Sequence, residues 1–287
     1  MKLGIIGGSG LYKLDALDQA EWRPVTTPWG NPSDELLFAS LGETELVFLP
    51  RHRRGHCLLP HEINYRANIA ALKIAGCTDI LSISACGSFR EELSPGTFIL
   101  PAQYVDRTRS RERTFFGEGI AAHVALADPN CGRLRELVAS AASEAGIEVQ
   151  NGGTYVAMEG PQFSPRAESR LYRQAGIDII GMTAMPEAAL AREAELCYAT
   201  LAMVTDWDSW RDAEIGAEIR DILAVMHANV EHARSVVATL ARSIPGERPV
   251  CEAGCDRALE HAVLTPPDLW PEMTKERLTS VAGRVLR

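Results

Sequence analysis

No stretch of this chain approaches about 18 uninterrupted apolar residues, so nothing in it reads as a membrane-spanning helix. The start, Met1-Lys2-Leu3-Gly4-Ile5-Ile6-Gly7-Gly8, has a single Lys and turns glycine-rich too early for a secretory leader. Together these absences predict a cytoplasmic protein with no membrane partner. A basic surplus is missing as well. The formal net charge is -9 over 287 residues, which argues against nucleic acid as the main partner but leaves room for a local site that holds a small anion. No repeat, low-complexity tract or linker interrupts residues 1–245, and a 46% hydrophobic content is ample for a sizeable core.

Paired cysteines are nearly absent too. Most of the seven stand singly in apolar surroundings, the usual setting of small buried thiols in a reducing compartment. Cys251 and Cys255 are the exception. With no second Cys/His pair in the sequence around them, zinc is disfavoured, and a small tail disulfide or two free thiols remain, of which free thiols are expected. No metal is assigned.

The chain is organised around Gly181 to Trp210. Cys197 to Val204 has the length and apolarity of an interior strand, and it delivers Asp206 and Asp208, which share one face because residues two apart on an extended backbone point the same way. Two neighbouring carboxylates do not both ionise cheaply, so one pKa should rise and leave an acid able to donate a proton. Helix capping and water binding fit the same spacing.

Leu3 to Ile6 is a first strand, followed by Gly7-Gly8-Ser9-Gly10, whose amides suit an anion. A plain tight turn also fits. The dinucleotide fingerprint fails, because Lys13 stands where its third glycine belongs. Strands are predicted at Glu35–Leu41 and Glu45–Leu49, followed by Arg51-His52-Arg53-Arg54-Gly55-His56, where arginine forks suit phosphate oxygens. A helix over Asn64–Ala75 and a strand over Thr78–Ala85 follow, with Ser84 and Ser88 as candidate anion ligands. Further strands are read at Gly96–Ala102, Gly153–Met158 and Asp178–Met182. Helices are read from Asp128-Pro129 to Ala145, from Ser164-Pro165 to Gln174 and from Pro186, with Thr183 and Glu187 around that last turn. Ile215 to Leu240 carries an apolar stripe every three or four residues, one long amphipathic helix given mostly to packing. The alternation makes an α/β protein with a mixed, largely buried sheet. Prolines mark 246–287 as a C-terminal extension with short helices near Cys255–Val263 and Pro271–Val285.

Taken together, GIIGGSGL, TPWGNPSD, RHRRGH, ACGSFREE, AMEGPQFSPRAES, GMTAMPEAALAREAELCYA and VTDWDSW resemble the purine nucleoside phosphorylase superfamily, and within it the branch that acts on S-methyl-5'-thioadenosine. The resemblance covers about residues 1–242 and implies a single-domain fold of a mixed sheet flanked by helices. It implies a homotrimer, alone or paired into a dimer of trimers, that cleaves a purine from its ribose. Inorganic phosphate would be the co-substrate, with no metal or organic cofactor. It further implies that Ser9, Arg51, His52, Ser84, Ala85 and Thr183 bind phosphate, Met182 lies against the ribose, Phe163 stacks by the base, and Asp206 and Asp208 hold the base's N7 and 6-amino edge. Ile219 and Ile222 would face the methylthio end, with His56 and His123 at the pocket mouth, His123 coming from a neighbouring subunit. Arg53 stands where the family often has Gly, Ser9 and Ser84 replace common threonines, and Trp207 replaces a tyrosine.

Overall fold

The computed structural model describes residues 1–8, 10–12, 17–211 and 219–286; Ser9 and the side chains of residues 219–223 lie outside that description. The chain opens with β1 (Lys2–Gly7), β2 (Asp18–Arg23), β3 (Leu36–Leu41), β4 (Thr44–Pro50), α1 (Tyr65–Ile74) and β5 (Asp79–Ser88). It continues with β6 (Phe98–Leu100), β7 (Gln103–Asp106), α2 (Gly132–Glu144), β8 (Val149–Asn151), β9 (Thr154–Ala157), α3 (Arg166–Gln174) and β10 (Ile179–Gly181). It closes with α4 (Ala184–Glu193), β11 (Cys197–Trp207), α5 (Ile219–Ser243) and α6 (Glu272–Ala282).

β1 pairs parallel with β4 and β5, and β5 pairs parallel with β11, whereas β3 and β4 form an antiparallel hairpin and β10 runs antiparallel to β5. The sheet is therefore mixed, as the alternation of elements predicts. Its central strands are apolar on both faces, and period two divides them. Leu3, Ile5, Leu81, Ile83, Leu201 and Met203 pack with α2 and α5, while Ile6, Ile80, Ala202 and Val204 pack with α1, α4 and α6. Helices cover both faces, which is why these strands lack polar alternation.

Local chemistry explains most boundaries. Asn64 caps α1, its side chain accepting from Ala67 N at 3.0 Å. β2 is exposed apart from half-buried Trp22 and half of its residues are charged, an edge strand without an apolar signature, and β7 and β8 are too short to show one. Three expectations need correction. α2 starts at Gly132, not at Asp128-Pro129, because Cys131 N–H donates to Tyr198 O (2.8 Å) and the Asn130 amide donates to Pro101 O (2.8 Å), holding that segment extended. Ser164 does not cap α3; Pro165 holds that position, with no side-chain cap bond. The helix expected at Cys255–Val263 shrinks to one 3-10 turn, Cys255–Arg257. The tail is nonetheless packed: Leu259, Leu278, Val281 and Leu286 are buried in the cluster that contains α1. Among the described residues no helix is long and apolar enough to cross a membrane.

Candidate active site

β5 and β11 lie side by side, with Ser84 opposite Ala202, Ala85 opposite Met203 and Gly87 opposite Asp206. A bulge between Val204 and Asp206 leaves Thr205 unpaired in the ladder; its hydroxyl donates to Cys86 O at 3.2 Å and to Asp206 Oδ1 at 2.7 Å. A cavity of about 380 Å³ opens at this end of the two strands, and Asp206 and Asp208 both line it. Gly87 lets them approach: a Cβ there would sit 3.3 Å from Asp206 Oδ2 and from Asp208 Cβ. Both acids have raised pKa values, in each case mainly through burial. Repulsion from Asp208 adds to the shift of Asp206, and hydroxyls offset part of both, Thr205 for Asp206, Ser169 and Ser164 for Asp208. Asp208 Oδ2 is buried without a hydrogen-bond partner. Sequence spacing anticipates one raised acid by mutual repulsion; desolvation instead raises both.

Three residues back along β5, about 10 Å at the rise of a strand, the wall changes character. Ser84 lines the cavity, and its hydroxyl is buried with no partner. Thr183, the N-cap residue of α4, is buried, makes no capping bond and lines the same wall, as do Ala85 and Gly8. Arg51 is 2% exposed and held bidentate by Glu187, with Nε to Oε2 at 3.0 Å and Nη2 to Oε1 at 3.1 Å. Its Nη1 donates to Ile83 O at 3.1 Å and its Nη2 to Ser82 Oγ at 2.6 Å, which leaves one Nη1 hydrogen for a ligand. His52 Nδ1 lies 2.8 Å from Leu58 O, so that nitrogen carries the proton and Nε2 is the acceptor. Burial and the Arg51 charge push the His52 pKa down to about 4.

This shift has a measurable sign. Between pH 6.5 and about 4 the unfolded chain protonates this histidine and the folded chain does not, so its contribution is full above that window and is lost as pH falls through it. His52→Gln removes that contribution. The difference in unfolding free energy between wild type and variant is expected to shrink on acidification across the window in denaturant titrations; a constant difference would refute the shift.

The phosphorylase superfamily model matches residues 2–242. The chain belongs to the phosphorylase superfamily. Among curated members, it is 53% identical to the S-methyl-5'-thioadenosine phosphorylase of Cereibacter sphaeroides over 285 residues, 99% of this chain and 98% of that one. It is also 53% identical to the protein of the same name from Bradyrhizobium diazoefficiens, over 99% of this chain and 98% of that one. Among solved structures of the superfamily, a methylthioadenosine phosphorylase from an antarctic soil metagenomic library superposes with a TM-score of 0.92, at 43% identity over 97% of this chain and 98% of that one. Methylthioadenosine phosphorylase from Schistosoma mansoni in complex with adenine superposes with a TM-score of 0.84, at 38% identity over 90% of this chain and 96% of that one.

In this phosphorylase the cavity also takes in Met182, His56 and Phe163, the last 62% exposed at its edge. His56 stacks on His52 with ring centroids 4.4 Å apart. Ser9 falls outside the described residues. Ile219 and Ile222 belong to the first turns of α5, and the described side chains of that helix in the cavity wall are Met226 and Val230, which a periodic stripe does not distinguish from core. His123 is exposed and does not line the cavity; its N–H donates to Ala262 O at 2.9 Å. Of the three clustered arginines, Arg51 alone reaches the site. Arg54 pairs at the surface with Asp34 (2.8 Å) and Glu35 (2.9 Å). Arg53 is exposed at φ 64°, a left-handed conformation that explains why a glycine suits the position. Trp207 does not line the cavity, and its indole N–H donates to Arg90 O at 3.2 Å. Arg111 escapes a reading of the sequence altogether. Its guanidinium donates to Met182 O (2.6 Å), Met185 O (2.8 Å) and Glu159 O (2.8 Å), tying together the two loops that flank Met182 and Phe163.

Proposed function

We propose that this chain cleaves S-methyl-5'-thioadenosine with inorganic phosphate, giving adenine and 5-methylthioribose 1-phosphate, a step of purine and methionine salvage. The observation that carries the reading is one cavity holding an acid pair at the end of β11, half-buried Asp206 and buried Asp208, and, about 10 Å away along β5, a buried hydroxyl with no partner. That separation leaves room for a ribose between base and phosphate. As the C1'–N9 bond breaks, positive charge builds on the sugar and negative charge on the purine. Asp206 gives a proton to N7, Asp208 accepts from the 6-amino group, and a phosphate oxygen forms the new bond to C1'. Hydrogen phosphate brings its own proton, which returns through solvent to Asp206, so the balance closes. Ser84, Thr183 and the remaining Arg51 Nη1 hydrogen face the phosphate, and His52 Nε2 accepts from its hydroxyl. Leu11, Met226 and Val230 offer the methylthio group an apolar wall, where a 5'-hydroxyl would lack a partner.

We read the assembly as a homotrimer, alone or paired into a dimer of trimers, in which the exposed His123 of one copy completes the pocket of the next. Free-base release from S-methyl-5'-thioadenosine should require phosphate and yield the sugar 1-phosphate. Equal rates without phosphate would make the chain a hydrolase, and full activity in a sedimenting monomer would remove His123 from the site.

A further inference from the structure

Four buried cysteines from three distant parts of the chain meet on the α2 and α5 side of the sheet. Cys131 sits at the N-cap of α2, Cys197 opens β11, and Cys251 and Cys255 flank a tight turn of the tail. None of them is in a disulfide. The second pair that the tail lacks in sequence is supplied in space by the body of the protein. All four sulfurs lie within 4.8 Å of one another, and those of Cys131 and Cys251 are 3.6 Å apart. Tetrahedral zinc binds thiolate at about 2.3 Å, which sets sulfur pairs about 3.8 Å apart, so the cluster has to close by about 1 Å at most. A disulfide bond would need about 2.05 Å. The Cys251–Cys255 turn, closed by Gly254 N–H donating to Cys251 O at 2.8 Å with Gly254 at φ 68°, has a spacing zinc sites use.

The surroundings separate a ligand set from apolar packing of thiols. Arg248 Nη2 lies 3.3 Å from Cys197 Sγ, and Arg133 is within electrostatic reach of the same sulfur. Asp79, bonded to Arg133, and Asp256, near Arg248, answer their charge but not their hydrogen-bonding capacity. Arg133 Nε and Nη1 and Arg248 Nε are buried with no hydrogen-bond partner. Neutral thiols are weak acceptors, whereas metal-bound thiolates take N–H···S bonds that orient and tune the site.

We propose that Cys131, Cys197, Cys251 and Cys255 form a structural zinc site that fastens the C-terminal extension to the sheet. With four protein ligands it is closed and leaves no position for substrate. Binding converts four thiols to thiolates and releases four protons, without oxidation or reduction. The test uses the untagged full-length chain grown with zinc and dialysed, with metal measured by inductively coupled plasma mass spectrometry. About one zinc per chain is expected, with none retained by the Cys251→Ser/Cys255→Ser variant. Should that variant fail to fold, wild type grown in cobalt supplies the second reading, the visible ligand-field bands of a tetrahedral thiolate site. Wild type purified with little zinc and all seven thiols reactive on unfolding would overturn the proposal. So would an intact mass lower by two hydrogens for each bond formed, the mark of disulfides.

Discussion

Asp206→Asn is expected to lower kcat/KM for S-methyl-5'-thioadenosine by about 10²-fold or more, the usual worth of a positioned general acid, and to shift the ratio toward inosine and methylthioinosine. A half-buried Asp206 with a raised pKa can keep a proton for N7, and its other oxygen, with Asp208, accepts from a 6-amino group. A 6-oxo group presents only lone pairs to the same oxygens. Asp208 Oδ2, already without a partner, would then face an acceptor in a desolvated wall, and sites of this kind reject the wrong partner by roughly 10⁴-fold. Asparagine changes both terms: its amide donates to N7 and to a 6-oxo oxygen, but it has no proton to give. The measurement is kcat/KM for methylthioadenosine, adenosine, methylthioinosine and inosine on wild type and variant. Wild-type turnover of the inosine compounds at equal or better rates would transfer the assignment to a 6-oxopurine phosphorylase.

Arg51→Ala should cost far more than phosphate binding. Arg51 and Glu187 are both essentially buried, and Glu187 also accepts from Ser82 Oγ at 2.7 Å and Tyr198 OH at 2.9 Å. Removing the guanidinium strands a carboxylate inside the protein, a loss of about 3–5 kcal/mol, or a fall in Tm on the order of 10 °C. The paired variant Arg51→Met/Glu187→Gln leaves no buried charge and should recover at least half of that stability. Phosphate-dependent turnover should stay lost in both variants, because the remaining Nη1 hydrogen and the positive charge are gone. Thermal unfolding with phosphate-saturation kinetics separates the two roles. An unchanged Tm in Arg51→Ala would deny the ion pair its structural part, and activity restored in the paired variant would deny Arg51 its phosphate.

Much of this was legible in the sequence, and the parts that were not have separate physical causes. The buried strands β5 and β11, the capped helix α1 and the acid pair are written in neighbouring residues, as apolar runs closed by glycine or by polar ends. Glu187 lies near its turn as expected, but its partner Arg51 is 136 positions away, and no local pattern announces the pair. The cysteine cluster is likewise assembled from positions that only the fold brings together. Met226 and Val230 show a different limit: the stripe that packs Val237 and Leu240 into the core becomes cavity wall a few turns earlier, and periodicity reports that a face is covered without saying by what. β2 was invisible because an exposed edge strand needs no apolar side chains.

The parallel pairing of β5 with β11 also orders events as the chain is made. Arg51, His52 and Ser84 leave the ribosome well before Cys197 starts β11, and the acids that answer them come later still. Until that loop closes, the edge of β5 that β11 covers has its backbone N–H and C=O groups unpaired, and pairing across so long a separation is slow because its entropy is lost before its contacts form. A chain truncated anywhere before β11 therefore has no partial activity to offer, only half a pocket and an open strand that invites association with other nascent chains.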